Sequence, residues 1–185
     1  IDIAASNIQR LQGLIDDLFN LETIDSGTNF RLEDVDVGEL IYEVSANIKP
    51  LIESREISFR VELEQGIEPL RIDRKWVSRA IANYLDNAVK YTQAGSTITL
   101  RVFTHQDMLH IEVVDNGPGI SLEAQSRVFE RFYRANDAAT IPGSGLGLAI
   151  VKSVAEAHGG GVYLKSRLNH GSTFGLTLRR ELVSV

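Results

Sequence analysis

Apolar residues at the start of the chain fall alternately three and four apart: Ile1, Ala4, Ile8, Leu11, Ile15 and Leu18, with Leu14 and Leu21 widening the seam on one side. This heptad spacing predicts one helix over the first 25 residues. Two readings stand for it: an amphipathic helix packed on its own domain, or a dimerisation helix. Ser26-Gly27-Thr28-Asn29 then breaks the pattern. A short strand is expected over 30–35. A helix follows with Val37, Leu40, Ile41, Val44 and Ile48 on one face, ending near Pro50. Strands are expected over 57–63, where apolar and polar residues alternate strictly, and over 70–72. Asp73 is placed to cap a helix running from Arg74 to about Tyr91. Two apolar strands, 97–103 and 109–114, flank a polar turn at about 105–108. From Asp115 to about Gly145 the pattern is Gly-rich and irregular. A helix then runs to His158, where Gly159-Gly160-Gly161 stops it, and strands 162–166 and 173–178 flank a turn at Asn169-His170-Gly171. Helices and strands mix without regular βαβ alternation. The expected class is α+β: a two-layer sandwich of one mixed β-sheet with helices on one face, preceded by a long helix.

Four segments disagree with simple core-and-surface patterning. On the 74–91 helix, Asn83 and Asn87 sit four apart and Lys90 and Tyr91 continue their stripe. Asn is a poor mid-helix residue because its amide competes for backbone hydrogen bonds. The stripe is either solvated surface or a polar wall whose amide oxygens ligate a hard cation while Lys meets phosphate. In the strand before Asn116-Gly117-Pro118-Gly119, Leu109, Ile111 and Val113 share a face, and Asp115 inherits their inward direction. A buried carboxylate left unpaired costs at least about 1–3 kcal/mol, so Asp115 is either a turn cap or an acceptor for a ligand. Gly143-Ser144-Gly145-Leu146-Gly147-Leu148 opens a helix, where backbone N–H groups can approach phosphate. It lacks the Gly-Lys-Ser/Thr of a P-loop and the third glycine of a dinucleotide fingerprint, so a plain flexible loop remains open. Finally, Phe129-Glu130-Arg131-Phe132-Tyr133-Arg134 precedes the small and polar stretch 135–140. It is either the packed base of a lid or a satellite apolar cluster with surface arginines.

Composition narrows the chemistry. Nineteen basic against 25 acidic residues give a net charge of −6, which argues against a nucleic-acid footprint and leaves phosphate binding to a local site. With no Cys there are no disulfides, thiolate metal sites or thiol nucleophiles. No apolar run approaches the roughly 18 residues of a bilayer span, so any membrane anchor is expected only in segments outside this chain.

Taken in order, these segments resemble the catalytic domain of sensor histidine kinases of two-component systems, within the group that includes gyrase, Hsp90 and MutL ATPases and shares the Bergerat-type ATP-binding fold. Residues 83–92 are similar to the family's asparagine box, 115–120 to its first glycine box, 129–134 to its phenylalanine box and 143–148 to its second glycine box. Gly171-Ser172-Thr173-Phe174 is similar to the last small-residue box, and the likeness covers roughly 30–180. It implies ATP and Mg²⁺ as ligands. Asn87 would ligate the magnesium with Asn83 in support, Lys90 would contact phosphate, and Tyr91 would line the nucleotide. Asp115 would accept from the adenine amine, with Thr173 in the same hydrogen-bond network. Gly117 and Gly119 would let backbone approach the base. Gly145, Leu146 and Gly147 would frame the phosphates, and Arg134 would stabilise charge on the γ-phosphoryl group.

The resemblance also divides the chain into 1–27, the second helix of a dimerisation hairpin, and 28–185, the ATP-binding domain. It implies a response-regulator receiver domain as partner, a homodimer through the hairpin, and a cytoplasmic setting for this portion, the full-length protein being anchored in the inner membrane or not. The hydrolysing relatives carry Glu where this chain has Asn83, so transfer to a protein side chain is expected over hydrolysis. The family's phosphoacceptor His has acidic and Arg-Pro context that none of His105, His110, His158 and His170 has, and its helix is expected before residue 1. A nucleotide-sensing module without transfer and a gyrase- or Hsp90-type ATPase are the alternatives.

Overall fold

The computed structural model describes residues 2–27, 30–134 and 143–180, with side chains from residue 11 onward. Ile1, the side chains of Ala4 and Ile8, the breakers Thr28 and Asn29, and the lid candidate 135–140 lie outside the described residues. In chain order the elements are α1 (Asp2–Asp25), β1 (Glu33–Val35), α2 (Val37–Ser54), β2 (Ser58–Leu63), β3 (Leu70–Ile72) and α3 (Arg74–Tyr91). They continue with β4 (Thr97–His105), β5 (Met108–Asp115), α4 (Leu122–Gln125), α5 (Gly147–Ala157), β6 (Val162–Ser166) and β7 (Ser172–Arg179).

Strand parity builds the main sheet. Ile98, Leu100 and Val102 on β4, Leu109, Ile111 and Val113 on β5, and Leu176 and Leu178 on β7 are buried on one face. Against them pack Val77, Ile81, Tyr84, Leu85 and Ala88 of α3 and Ile150, Val151 and Val154 of α5. The five strands run in the order β2-β4-β5-β7-β6; β2 and β4 are parallel and the other pairs antiparallel. On the opposite face long side chains take the place of helices. Tyr163 covers Gly175, donates to Glu112 at 2.8 Å, and Arg101 bridges Glu112 and Glu62.

The architecture agrees with the α+β expectation, and several details differ. β1 and β3 pair with each other in a separate two-stranded ribbon. α2 does not stop at Pro50 but continues to Ser54. Proline there withholds a hydrogen bond from the Ala46 carbonyl, but both residues are exposed, so water can take that acceptor, and buried Ile52 anchors the last turn. Strict alternation in β2 does not mark a buried face. Only Phe59 packs on the core while Val61 and Leu63 are exposed, because β2 is an edge strand. α4, capped by Ser121 onto Ala124 N, interrupts the irregular stretch and has no periodicity to announce it.

α1 packs on its own domain through one stripe and leaves another uncovered among the described residues. Leu21 and Ile24 are buried and Leu14 packs partly on the core, while Leu11, Ile15, Leu18 and Phe19 are exposed by 58%, 53%, 43% and 66%. One stripe docks on α5, and the described seam residues Leu11, Ile15 and Leu18 are exposed.

Candidate functional site

α3 starts where Asp73 caps it, accepting from Trp76 N at 3.1 Å, and its register then presents residues 83, 87 and 90–92 along one side. Asn83 donates through Nδ2 to Gly147 O at 3.1 Å, fixing the middle of α3 to the first turn of α5. One turn on, Asn87 is half-buried and has no side-chain hydrogen bond among the described residues. Lys90 Nζ is paired with Asp86 Oδ2 at 2.5 Å, one turn back along α3. Tyr91 is exposed at the end of the helix, and Thr92 Oγ1 is buried without a hydrogen-bond partner.

Asp115 ends β5. Its neighbours in the row across the sheet are Ile98 and Ser172, and Ser172 is followed by Ser166. Its Oδ1 accepts from Gly117 N at 2.8 Å, and a backbone hydrogen bond at Ser172 also reaches it. Burial pushes the Asp115 carboxyl above the usual carboxylate range, while those two hydrogen bonds pull the other way. A Cβ at Gly117 would stand 2.8 Å from Asp115 Oδ1 and 3.3 Å from Thr92 Oγ1. The orphan hydroxyl and the carboxylate therefore meet at the same small cradle. Gly119 has φ +70, and a Cβ there would meet Arg167 O at 2.1 Å, so this turn admits only glycine.

Thr173 pairs with Val114 rather than Asp115, so its strand parity is opposite to that of Asp115. Parity gives Asp115's face to Ser172, whose Oγ is 2.9 Å from Ser166 Oγ, and Ser166 accepts from Ile120 N. Position 172 was legible in the sequence by counting strand parity from the buried Leu176 and Leu178.

The second glycine-rich segment is shaped by the phenylalanine-rich one. Gly145 has φ +73, a Cβ there would lie 2.9 Å from the Phe132 carbonyl carbon, and Phe132 N donates to Gly145 O at 2.9 Å. Phe129 packs on Phe174 in the core, whereas Phe132 is exposed and Arg131 pairs with Asp25 of α1. Phe129 thus packs as a small apolar cluster, and the lid of the other reading lies outside the described residues. Arg134 is half-buried at the edge of the described chain. Leu146 is fully buried, and no side chain caps the first turn of α5. Its N–H groups and dipole favour an anion there.

These contacts form one continuous line: Gly147 to Asn83, along α3 past Asn87 to Thr92, and through Gly117 to Asp115. From Asn83 to Thr92 the helix advances about 13 Å, comparable with an extended nucleoside triphosphate. An uncapped helix start at one end, an unpartnered amide midway, and a carboxylate with an orphan hydroxyl at the other suit phosphate, a hard cation and a hydrogen-bonding base in that order. A concavity at the strand ends, lined by Asp115, Ser172, Lys165, Arg167 and His170 among others, reaches Asp115 but includes no residue of α3 or of the 143–148 segment. Convergence therefore rests on the hydrogen bonds and close approaches, not on that hollow.

The model of histidine kinase-, DNA gyrase B- and HSP90-like ATPases matches residues 72–182. The chain belongs to this family. Among similar curated proteins, the signal transduction histidine-protein kinase/phosphatase MprB of Mycobacterium ulcerans is 36% identical over 96% of this chain and 34% of its own length. The sensor-like histidine kinase SenX3 of Mycobacterium tuberculosis is 34% identical over 91% of this chain and 42% of its own. The chain thus spans well under half the length of these relatives. Among solved structures, full-length ShkA in complex with AMPPNP aligns with TM-score 0.84 at 25% identity, over 95% of this chain and 37% of that one. Mycobacterial MprB aligns with TM-score 0.67 at 30% identity, over 81% and 98%. The likeness is to the catalytic, ATP-binding part of sensor histidine kinases. No helix among the described residues is long and apolar enough to cross a membrane.

Proposed function

We propose that this member of the family binds MgATP along the line from Asp115 to Gly147 and, within a longer sensor histidine kinase, transfers the γ-phosphoryl group to a histidine of a helical hairpin for relay to a response-regulator aspartate. The observation that carries the proposal is the connection of Asp115, the α3 stripe and the start of α5 through direct contacts. Asp115 accepts from the adenine amine, with Ser172 rather than Thr173 beside it, and the backbone at Gly117 and Gly119 lies against the base. Tyr91 lines the nucleotide. Asn87 offers its free amide oxygen to Mg²⁺, which when bound screens the phosphate charge. Lys90, Leu146, Gly147 and the neighbouring Gly145 turn hold the phosphates, and Arg134 faces the charge that develops on transfer, where positioning and electrostatics dominate.

Three features favour transfer over hydrolysis. Position 83 carries an amide already committed to Gly147, so no carboxylate stands there to activate water. The nearby Asp86 is tied to Lys90. The exposed seam of α1 suits a helical hairpin, and we assign 1–27 to its second helix and the homodimer to that surface. His105 and His110 sit in strands, His170 in a turn and His158 in a buried cap, so the acceptor comes from another segment. A solved relative of the same fold, the kinase ThkA, was captured with the response regulator protein TrrA. Calorimetric titration should detect MgATP binding to this chain in the micromolar-to-millimolar range, lost in Asp115→Asn. Labelled ATP should transfer phosphate to a histidine-bearing hairpin supplied in trans. Robust steady-state hydrolysis without transfer would favour the ATPase alternative.

A further inference from the structure

α1 reaches the phosphate end of the site through the carboxylate of Asp17. Asp17 Oδ1 accepts from Arg79 Nη2 at 2.8 Å, and Asp17 Oδ2 accepts from Ser144 Oγ at 2.9 Å. Ser144 Oγ accepts in turn from Leu146 N at 3.1 Å, an N–H at the otherwise uncapped start of α5. Arg79 stands one turn before Asn83 and extends the 83–87 stripe of α3. Its guanidinium is incompletely satisfied, since Nε is buried with no hydrogen-bond partner. A second tie, Arg131 to Asp25, holds the neighbouring segment to the same helix.

We propose that Asp17 is a built-in competitor of the nucleotide's phosphates. Its carboxylate occupies the hydroxyl and the guanidinium that phosphate oxygens would otherwise recruit, and through Ser144 it keeps the Leu146 N–H engaged. Two anions contend for one set of donors, so closure of the Asp17 contacts lowers phosphate affinity, and phosphate binding loosens α1 from α5 by the same factor. Asp17 holds Nη2 of Arg79 while the buried Nε is left without a hydrogen-bond partner, so this guanidinium is not saturated by the carboxylate. The proposal rests on assigning the phosphates to the first turn of α5.

Asp17→Asn keeps the shape and removes the charge. In the 185-residue chain it should tighten ATP binding about fivefold or more while leaving adenosine affinity unchanged, because the base sits at the other end of the α3 stripe. Adding Arg79→Met to Asp17→Asn should abolish the gain. Titration calorimetry with ATP and with adenosine reads both, and thermal unfolding checks that each variant is folded, with Asp17→Ser as the alternative neutral variant. Unchanged or weaker ATP binding, or an equal gain for adenosine and ATP, overturns the proposal. If the unsubstituted chain binds neither ligand, the nucleotide assignment itself falls, a result distinct from either.

Discussion

Burial raises the proton affinity of Asp115, and the sign of that shift sets two requirements against each other. A carboxyl whose folded pKa is raised favours the fold below its unfolded pKa, about 3.9, and that contribution disappears as pH rises through the folded value. At neutral pH the ionised group is therefore a local strain on stability, and in the proposed role the ionised form is the better acceptor for a ligand amine. Asp115→Asn should raise the thermal midpoint by a few degrees near pH 7, the response of a domain this size to roughly 1 kcal/mol, and the gain should vanish in acid. Nucleotide affinity should fall in the same variant, and in the native chain it should fall as pH drops through the raised pKa. Calorimetry across pH checks both. A variant that neither stabilises nor loses binding would mean that Asp115 is only a turn cap. At this scale Asp115 was legible because three buried residues of one parity point to it. Asp17 was not, because its partners lie 62 and 127 residues away and nothing local marks it.

Between elements, His158 is the hinge-pin of the helical layer. Its Nε2 accepts from Asp73 N at 3.0 Å and its Nδ1 donates to Val154 O at 2.7 Å, so the neutral ring joins the end of α5 to the cap of α3. Burial holds its pKa below the ordinary histidine value. A histidine with a depressed folded pKa gives its full stabilisation above about 6.5, and that is lost as pH falls through the folded value. His158→Phe should destabilise by about 1–3 kcal/mol at pH 7, because Asp73 N is left buried and unpaired. The acid limb of the unfolding midpoint against pH should flatten in the same variant; an unaltered limb would place the acid sensitivity elsewhere. Much of the element order could be read from period alone: β3, β6 and α3 have the expected bounds. What periodicity could not supply was pairing. It could not tell that β1 belongs with β3, that β2 would be an edge, or that a buried Ile52 would carry a helix past Pro50.

For the whole molecule, the exposed seam of α1 is the largest apolar feature that the domain itself leaves uncovered among those described above. Leu11, Ile15, Leu18 and Phe19 present an apolar stripe that the domain does not use. The spacing was visible in the sequence; that Leu21 and Ile24 would anchor the helix on a different side required the folded partner surface. If the stripe is the dimer contact, Ile15→Glu with Leu18→Glu should lower self-association in sedimentation at rising concentration. The thermal midpoint should change little, since neither side chain is buried in the domain and surface changes usually stay within about 0.5 kcal/mol. Loss of folding in that double variant would instead make the seam part of the intramolecular core.

α3 and α5 are riveted together at both ends of α5: Gly147 to Asn83 near its start, His158 to Asp73 at its finish. Two rods pinned twice cannot scissor or slide past one another without breaking a buried fastening. The helical layer therefore behaves as a plate, and Asn83, Asn87 and the first turn of α5 keep one fixed spacing.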